Sequence, residues 1–378
     1  MSFINVLKGK TESRYFDTVF KFFEVFNHKT GEYVRGESSL TGKDPFMRSF
    51  PNLLDIGIMG GCKSASLCQA GGRKSGCYQG GKPYDVSKNM KFEDFCRLID
   101  EGAENGLQQV ALGGAGNPED HQDFEKIVRY ASMKGVVPNY TTSGICLDDE
   151  KAEISSRYCG AVAVSWYRQE FTGDAIERFL RFGNSVSIHY VLSKETIDEA
   201  IGLLKNHILP YGDGKVFDFE RVPVKAFLFL LYKPVGLGRK ENCLGQEDVD
   251  KLKEFFYLAS LGNHPFMVGF DSCSVPLVLK YSSNVDSGSL DTCEGGRFSA
   301  YVFPDMVMVP CSFDQSRKFG ISLEGKTIEE VWNSDRFSKF RSSLFLSCRS
   351  CGMRDGCMGG CPLMRDLVIC DSLEKFQI

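Results

Sequence analysis

Cys348, Cys351, Cys357 and Cys361 stand at C-x2-C-x5-C-x3-C spacing, with Cys370 beyond them and Cys293 and Cys311 upstream. Thiolates grouped in this way ligate soft metals. A zinc ribbon uses four cysteines in two close pairs. These seven, with Cys273 of Gly269-Phe-Asp-Ser-Cys273 as a candidate eighth, suit two 4Fe-4S clusters better. A second group lies on one glycine-rich loop, Gly60-Gly-Cys62-Lys-Ser-Ala-Ser-Leu-Cys68, continuing to Cys77-Tyr78. Three thiolates on a 4Fe-4S cluster leave one iron open to bind a substrate or cofactor directly. A zinc loop, or three unrelated thiols, is the alternative. The chain has fifteen cysteines and its N-terminus lacks a signal-peptide layout, so cytosolic ligation explains them better than disulfides.

The elements that must position these thiols follow a rhythm. Apolar strands are expected at 53–59, 109–112, 137–142, 161–167, 186–192, 224–235 and 266–270. Amphipathic helices are expected between them, at 92–104, 124–133, 175–182, 196–205 and 249–259. Strands alternating with helices imply parallel pairing with right-handed crossovers. The fold class is therefore α/β, a partial (β/α)6-7 TIM-like barrel with its chemistry at the C-terminal ends of the strands. An open doubly wound sheet is the runner-up. Residues 1–50 read as a β-hairpin cover centred on Phe20 to Arg35, residues 51–272 as the barrel, and 273–378 as a small metal-organised module too poor in apolar sequence to hold a core alone.

Composition removes other classes. With 45 basic and 49 acidic residues spread through 378, there is no electrostatic footprint for nucleic acid or anionic membrane. The apolar stretch from Ala226 to Tyr232 is far too short to span a bilayer. A cytoplasmic protein is expected.

Three strand ends carry further motifs. Gly113-Gly114-Ala-Gly116-Asn117-Pro118 ends the second strand, Thr141-Thr142-Ser143-Gly144 the third, and Ser165 lies on the fourth. With the cysteine loop, these resemble the radical S-adenosylmethionine (SAM) enzymes: the first segment is similar to their "GGE" turn, with Asn117 where Glu is usual, and the second to their "TTNG". The loop spacing, C-x5-C-x8-C, departs from the usual C-x3-C-x2-C. The seven C-terminal cysteines match the SPASM module of the peptide-modifying members, with Met306 in place of the motif's glycine ahead of Cys311. The resemblance covers about residues 51 to 378.

It implies a SAM-binding 4Fe-4S cluster on Cys62, Cys68 and Cys77, with SAM contacts from Gly114, Gly116, Asn117, Thr142, Ser143 and Ser165. It also implies two auxiliary 4Fe-4S clusters. Cys293, Cys311 and Cys361 hold the first, with Cys273 as candidate fourth ligand, and Cys348, Cys351, Cys357 and Cys370 hold the second. The implied activity is reductive cleavage of SAM to a 5′-deoxyadenosyl radical that abstracts hydrogen from a peptide or protein side chain. A flavodoxin- or ferredoxin-like protein supplies the electron. A dehydrogenase or epimerase of a small metabolite is the alternative substrate class, and a non-catalytic iron-sulfur or zinc redox sensor the alternative of another kind. Cys146 and Cys243 are candidate catalytic thiols, Cys96 and Cys159 core residues, and His121 and His189 satisfied hydrogen bonders. Lys233 and Arg239, after the sixth strand, are candidates to hold a carboxylate.

Overall fold

The computed structural model describes residues 3–8, 11–36, 45–70, 76–282, 290–344, 357–358 and 360–364. The first four strands, β1 (Phe3–Lys8), β2 (Glu12–Asp17), β3 (Phe22–Asn27) and β4 (Tyr33–Arg35), form an antiparallel sheet in chain order. The hairpin expected around residues 20–35 is its β3–β4 half. The sheet buries Tyr15, Phe22 and Phe26 on one face together with Glu24. That buried carboxylate is matched by Arg48, whose Nε donates to it at 3.0 Å, by Tyr33 Oη at 2.7 Å and by Gln108 Nε2 at 2.9 Å. Arg48 also donates to the carbonyls of Phe50 and Gly106. Phe50, Gly106 and Gln108 lie just ahead of barrel strands, so the sheet closes the N-terminal end of the barrel. It stands away from the face where barrel chemistry takes place.

The large sheet begins with β5 (Leu53–Met59) and a short helix α1 (Ala65–Ala70), followed by α2 (Phe92–Glu104), β6 (Gln109–Gly114), α3 (Phe124–Met133), β7 (Val137–Thr142), α4 (Asp149–Tyr158), β8 (Ala161–Ser165), α5 (Glu170–Arg181), β9 (Val186–Leu192) and α6 (Ile197–Asn206). A hairpin of β10 (Ile208–Tyr211) and β11 (Lys215–Asp218) interrupts the rhythm where Tyr211-Gly-Asp-Gly-Lys215 supplies a turn. The pattern resumes with β12 (Ala226–Leu231), α7 (Val249–Ala259), β13 (Met267–Phe270) and α8 (Val275–Tyr281), and continues through β14 (Ser299–Val302), β15 (Val307–Val309), β16 (Ile321–Ser322), α9 (Ile328–Trp332) and α10 (Asp335–Ser343).

The ten strands of this sheet run in the order β13-β12-β9-β8-β7-β6-β5-β14-β15-β16, parallel from β13 to β14. Among the described residues β13 pairs only with β12, so the barrel is partial, as expected. Alternation decides the two faces. Leu54, Ile56, Val110, Leu112, Val162, Val164, Phe227 and Phe229 are buried under the helices. Asp55, Ala111, Asn139, Ala163 and His189 alternate with them on the inner face. The sheet does not stop at the expected boundary near residue 273: β14 pairs in parallel with β5, so the cysteine-rich segment is stitched onto the barrel's first strand.

Candidate active site

The loop after β5 and the loop after β12 together shape the cysteine pair at the barrel mouth. Cys62 N–H donates to Lys82 O at 2.9 Å, tying the loop's start to its end. Cys77 O accepts from Leu237 N–H at 3.0 Å. Gly236 approaches so closely, at φ 66°, that a Cβ there would stand 2.5 Å from Cys77 O, which is why Tyr232-Lys-Pro-Val-Gly236 ends in glycine.

Cys62 and Cys77 open on a cleft at the C-terminal ends of the strands. Gly114, Gly116 and Asn117 after β6, Thr142 and Ser143 after β7, and Ser165 on β8 line the same cleft. All six expected SAM contacts are thus brought together with two of the three loop cysteines. Cys68 lies on α1, and its side chain is outside the described residues. Tyr78, Gln79 and Tyr167 also line the cleft and carried no signal in the sequence.

Asn117 does not offer a free acceptor. Its Oδ1 takes Ser143 N–H and Ser143 Oγ–H, each at 3.0 Å, so the amide joins the second strand end to the third. Behind that turn lies Glu119, which no sequence motif singles out. Thr142 Oγ1 donates to Glu119 Oε1 and accepts Gly144 N–H at 2.9 Å. Glu119 Oε2 has no partner among the described residues, and burial pushes the carboxyl up to about 7. Deeper in the barrel, burial also pushes Asp55 up to about 7 and holds His189 down to about 4, so the imidazole is neutral at working pH. His189 Nδ1 is 3.4 Å from Thr141 Oγ1 on the cleft wall. His121 is satisfied: Nδ1 accepts Asp123 N–H, leaving Nε2 to donate to Met90 O.

A second set of thiols gathers beyond the end of β13. Cys273 and Cys361 are hydrogen-bonded to each other, and Cys273 interacts electrostatically with Cys293 and Cys311. Burial pushes Cys293 up to about 12 and raises Cys311 as well, the signature of thiols desolvated together. Four cysteines from four separate segments therefore converge, including the candidate eighth. No three His, Cys, Asp or Glu side chains among the described residues are close enough to hold a single metal ion. Cys357 lies near Thr292 through its neighbour Met358, whose Sδ is 3.1 Å from Thr292 Oγ1. Cys348, Cys351 and Cys370 lie outside the described residues. Met306, which replaces the motif's glycine, adopts φ 62° in the turn between β14 and β15, the left-handed conformation for which glycine is favoured. Its buried side chain compensates.

The remaining candidates stand apart from the cleft. Cys146 is exposed, at φ 61°, and Cys243 is half-buried with Sγ 4.0 Å from Arg239 O; neither lines the cleft. Cys96 and Cys159 are half-buried, on α2 and at the end of α4. Lys233, expected to hold a carboxylate of SAM or substrate, is instead engaged inside the protein by Asp271.

Comparison with known proteins agrees with this geometry. Residues 293–352 match SPASM, an iron-sulfur cluster-binding domain. The PqqA peptide cyclase of Gluconobacter oxydans is 23% identical over 292 residues, covering 70% of this chain and 74% of that one. Streptococcus suis SuiB bound to S-adenosylmethionine superposes with a TM-score of 0.66 at 18% identity, over 87% of this chain and 78% of SuiB. The protein anSMEcpe with bound AdoMet superposes with a TM-score of 0.58 at 18% identity, over 86% of this chain and 91% of that one. The chain thus has the fold of SuiB and anSMEcpe, and its C-terminal segment carries a SPASM match over residues 293–352.

Proposed function

We propose that the protein is a radical SAM oxidoreductase that reductively cleaves SAM and takes a hydrogen atom from a peptide or protein side chain. The cleft carries this reading: the thiols of Cys62 and Cys77 open on the same space as hydrogen-bonding groups from the ends of three neighbouring parallel strands. The donor set suits the cofactor. Gly113 faces that space with nothing within 4 Å of where a Cβ would stand, so bare main chain is left for a ligand to approach. Cys62, Cys68 and Cys77 would hold the SAM-binding cluster. Gly114, Gly116, Thr142, Ser143 and Ser165 would hold SAM, with Asn117 fixing the Ser143 turn and leaving main-chain carbonyls as acceptors for the amino group.

When bound on Cys62, Cys68 and Cys77, the cluster would supply the one-electron reduction that splits the SAM sulfonium into methionine and a hydrogen-abstracting 5′-deoxyadenosyl group. The small inner-face residues Ala111 and Ala163 leave room for a substrate inside the barrel, and neutral His189 and Thr141 offer it hydrogen bonds. Cys273, Cys293, Cys311 and Cys361 would hold one auxiliary 4Fe-4S cluster, and Cys348, Cys351, Cys357 and Cys370 the other. The electron would come from an external flavodoxin- or ferredoxin-like donor in the cytoplasm, where thiols stay reduced. A peptide substrate is supported by the name of the PqqA peptide cyclase and by similar structures solved with peptides: SuiB with its precursor peptide SuiA, and anSMEcpe with the Kp18Cys peptide.

Anaerobic reconstitution tests the reading. About twelve irons per chain, and 5′-deoxyadenosine formed from SAM and reductant, are expected for three clusters. Replacing Cys62, Cys68 and Cys77 with alanine should abolish cleavage and leave the auxiliary iron in place. Zinc in the thiol sites with no SAM cleavage would sink the proposal.

A further inference from the structure

The loop Tyr232-Lys233-Pro-Val-Gly236 after β12 touches both thiol sites. Gly236 and Leu237 hold the main chain at Cys77, and the Tyr232 ring lies against Gly76. Lys233 turns the other way. Its side chain is almost wholly buried, and Nζ donates to Asp271 Oδ2 at 2.6 Å and to Leu231 O at 2.9 Å. The ammonium also stands 4.5 Å from the centre of the Phe313 ring. Asp271 is two residues before Cys273 and Phe313 two residues after Cys311, so Lys233 is wedged between two segments that bring thiols to the convergent set. The Phe313 ring in turn packs 5.0 Å from that of Tyr78, beside Cys77.

A buried ion pair beside a redox centre acts as a dipole, and its orientation decides the sign of its effect. Asp271 is itself fixed through Oδ1, which accepts Leu231 N–H at 3.3 Å and Ser274 Oγ–H at 2.5 Å. The positive end lies between the segments that carry Cys273 and Cys311. Lys233 interacts electrostatically with Cys273, Cys311 and Cys361, and at Cys273 it acts more strongly than Asp271 does. With two of its three donors engaged and almost no surface left to water, Lys233 is held inside the protein and does not line the cleft. Adding an electron to a cluster adds one negative charge, and a cation in a low-dielectric site stabilises that charge far more than one in water.

We propose that the Lys233 ammonium, oriented by Asp271, raises the reduction potential of the 4Fe-4S cluster held by Cys273, Cys293, Cys311 and Cys361. This rests on the reading of those four thiols as one cluster site. Lys233 is a positioning residue for charge and takes no part in hydrogen transfer.

The test is an EPR-monitored redox titration of cluster-loaded protein carrying C62A and C77A, so that only auxiliary clusters titrate. Lys233→Met should shift one midpoint to more negative potential, and Asp271→Asn should shift the same midpoint to more positive potential. Lys233→Arg, which keeps the charge, should leave it close to the parent. The other auxiliary midpoint should not move. Opposite shifts from the two halves of one ion pair cannot come from general loosening, which would move both variants the same way; shifts of one sign overturn the proposal. An unmoved midpoint on a cluster of full iron content overturns it too, while leaving the cluster assignment standing. Iron content showing that no cluster is bound at Cys273 overturns both. Should Lys233→Met not fold, Asp271→Asn and Lys233→Arg still decide the sign.

Discussion

Replacing Glu119 with glutamine tests whether the wall behind the cleft stores the electrostatic cost that its burial implies. Burial raises this carboxyl from 4.5 to about 7, while one oxygen holds Thr142 and the other has no partner among the described residues. A carboxyl raised on folding favours the folded state fully below its unfolded value and loses that contribution as pH rises through about 7. Wild-type protein at pH 8 must therefore carry a buried anion, which Glu119→Gln does not. Each tenfold change in proton affinity on folding is worth about 1.36 kcal/mol, so the relative gain of the variant is about 3 kcal/mol at pH 8 and about 1 kcal/mol at pH 5. For 378 residues this is a difference in Tm of about 4 °C at pH 8, shrinking to about 1 °C at pH 5. Thermal scans of cluster-loaded wild type and variant at both pH values, at one scan rate without oxygen, measure it. A variant no more stable than wild type at pH 8, or a gap of equal size at both pH values, refutes the reasoning.

Gly113→Val places a branched side chain in the open space of the cleft, and SAM cleavage should fall at least about tenfold, a loss of ~1.4 kcal/mol of transition-state stabilisation, with cluster content unchanged. Glu24→Ala strands the fully buried Arg48 guanidinium and should cost about 3–5 kcal/mol in denaturant unfolding, whereas the paired change Glu24→Leu with Arg48→Met should recover most of it. Met306→Gly sets two effects against each other. It relieves about 1 kcal/mol of left-handed strain but removes a buried side chain worth about 2–5 kcal/mol, so a lower Tm is expected despite the restored motif glycine. Cys146→Ala should leave SAM cleavage at the wild-type rate, because that thiol is exposed and does not line the cleft.

Local periodicity is enough to place most of the barrel. The segments 53–59, 137–142 and 186–192 become β5, β7 and β9 with the same bounds, and 92–104, 124–133 and 249–259 become α2, α3 and α7. Each buries one face against its neighbours, and a residue's face follows from its spacing along the chain. The N-terminal sheet was only half legible. The glycine turn marks β3–β4, while the place of the sheet beneath the barrel depends on Glu24 meeting Arg48 and Gln108, pairings with no local trace.

Cysteine number and spacing by themselves predict thiol ligands in two groups, since ligation demands particular residue types at short separations. The strand-end motifs likewise predict which residues meet at the mouth, because parallel strands align their C-terminal ends. Only the tertiary structure decides what each of those groups is free to do. Asn117 has an acceptor in sequence but spends it on Ser143; Lys233 has a charge in sequence but commits it to Asp271; Cys273 becomes a neighbour of Cys361 across most of the C-terminal segment. Hydrogen bonds and ion pairs saturate, and which partner saturates a group is settled by contacts between residues far apart in the chain.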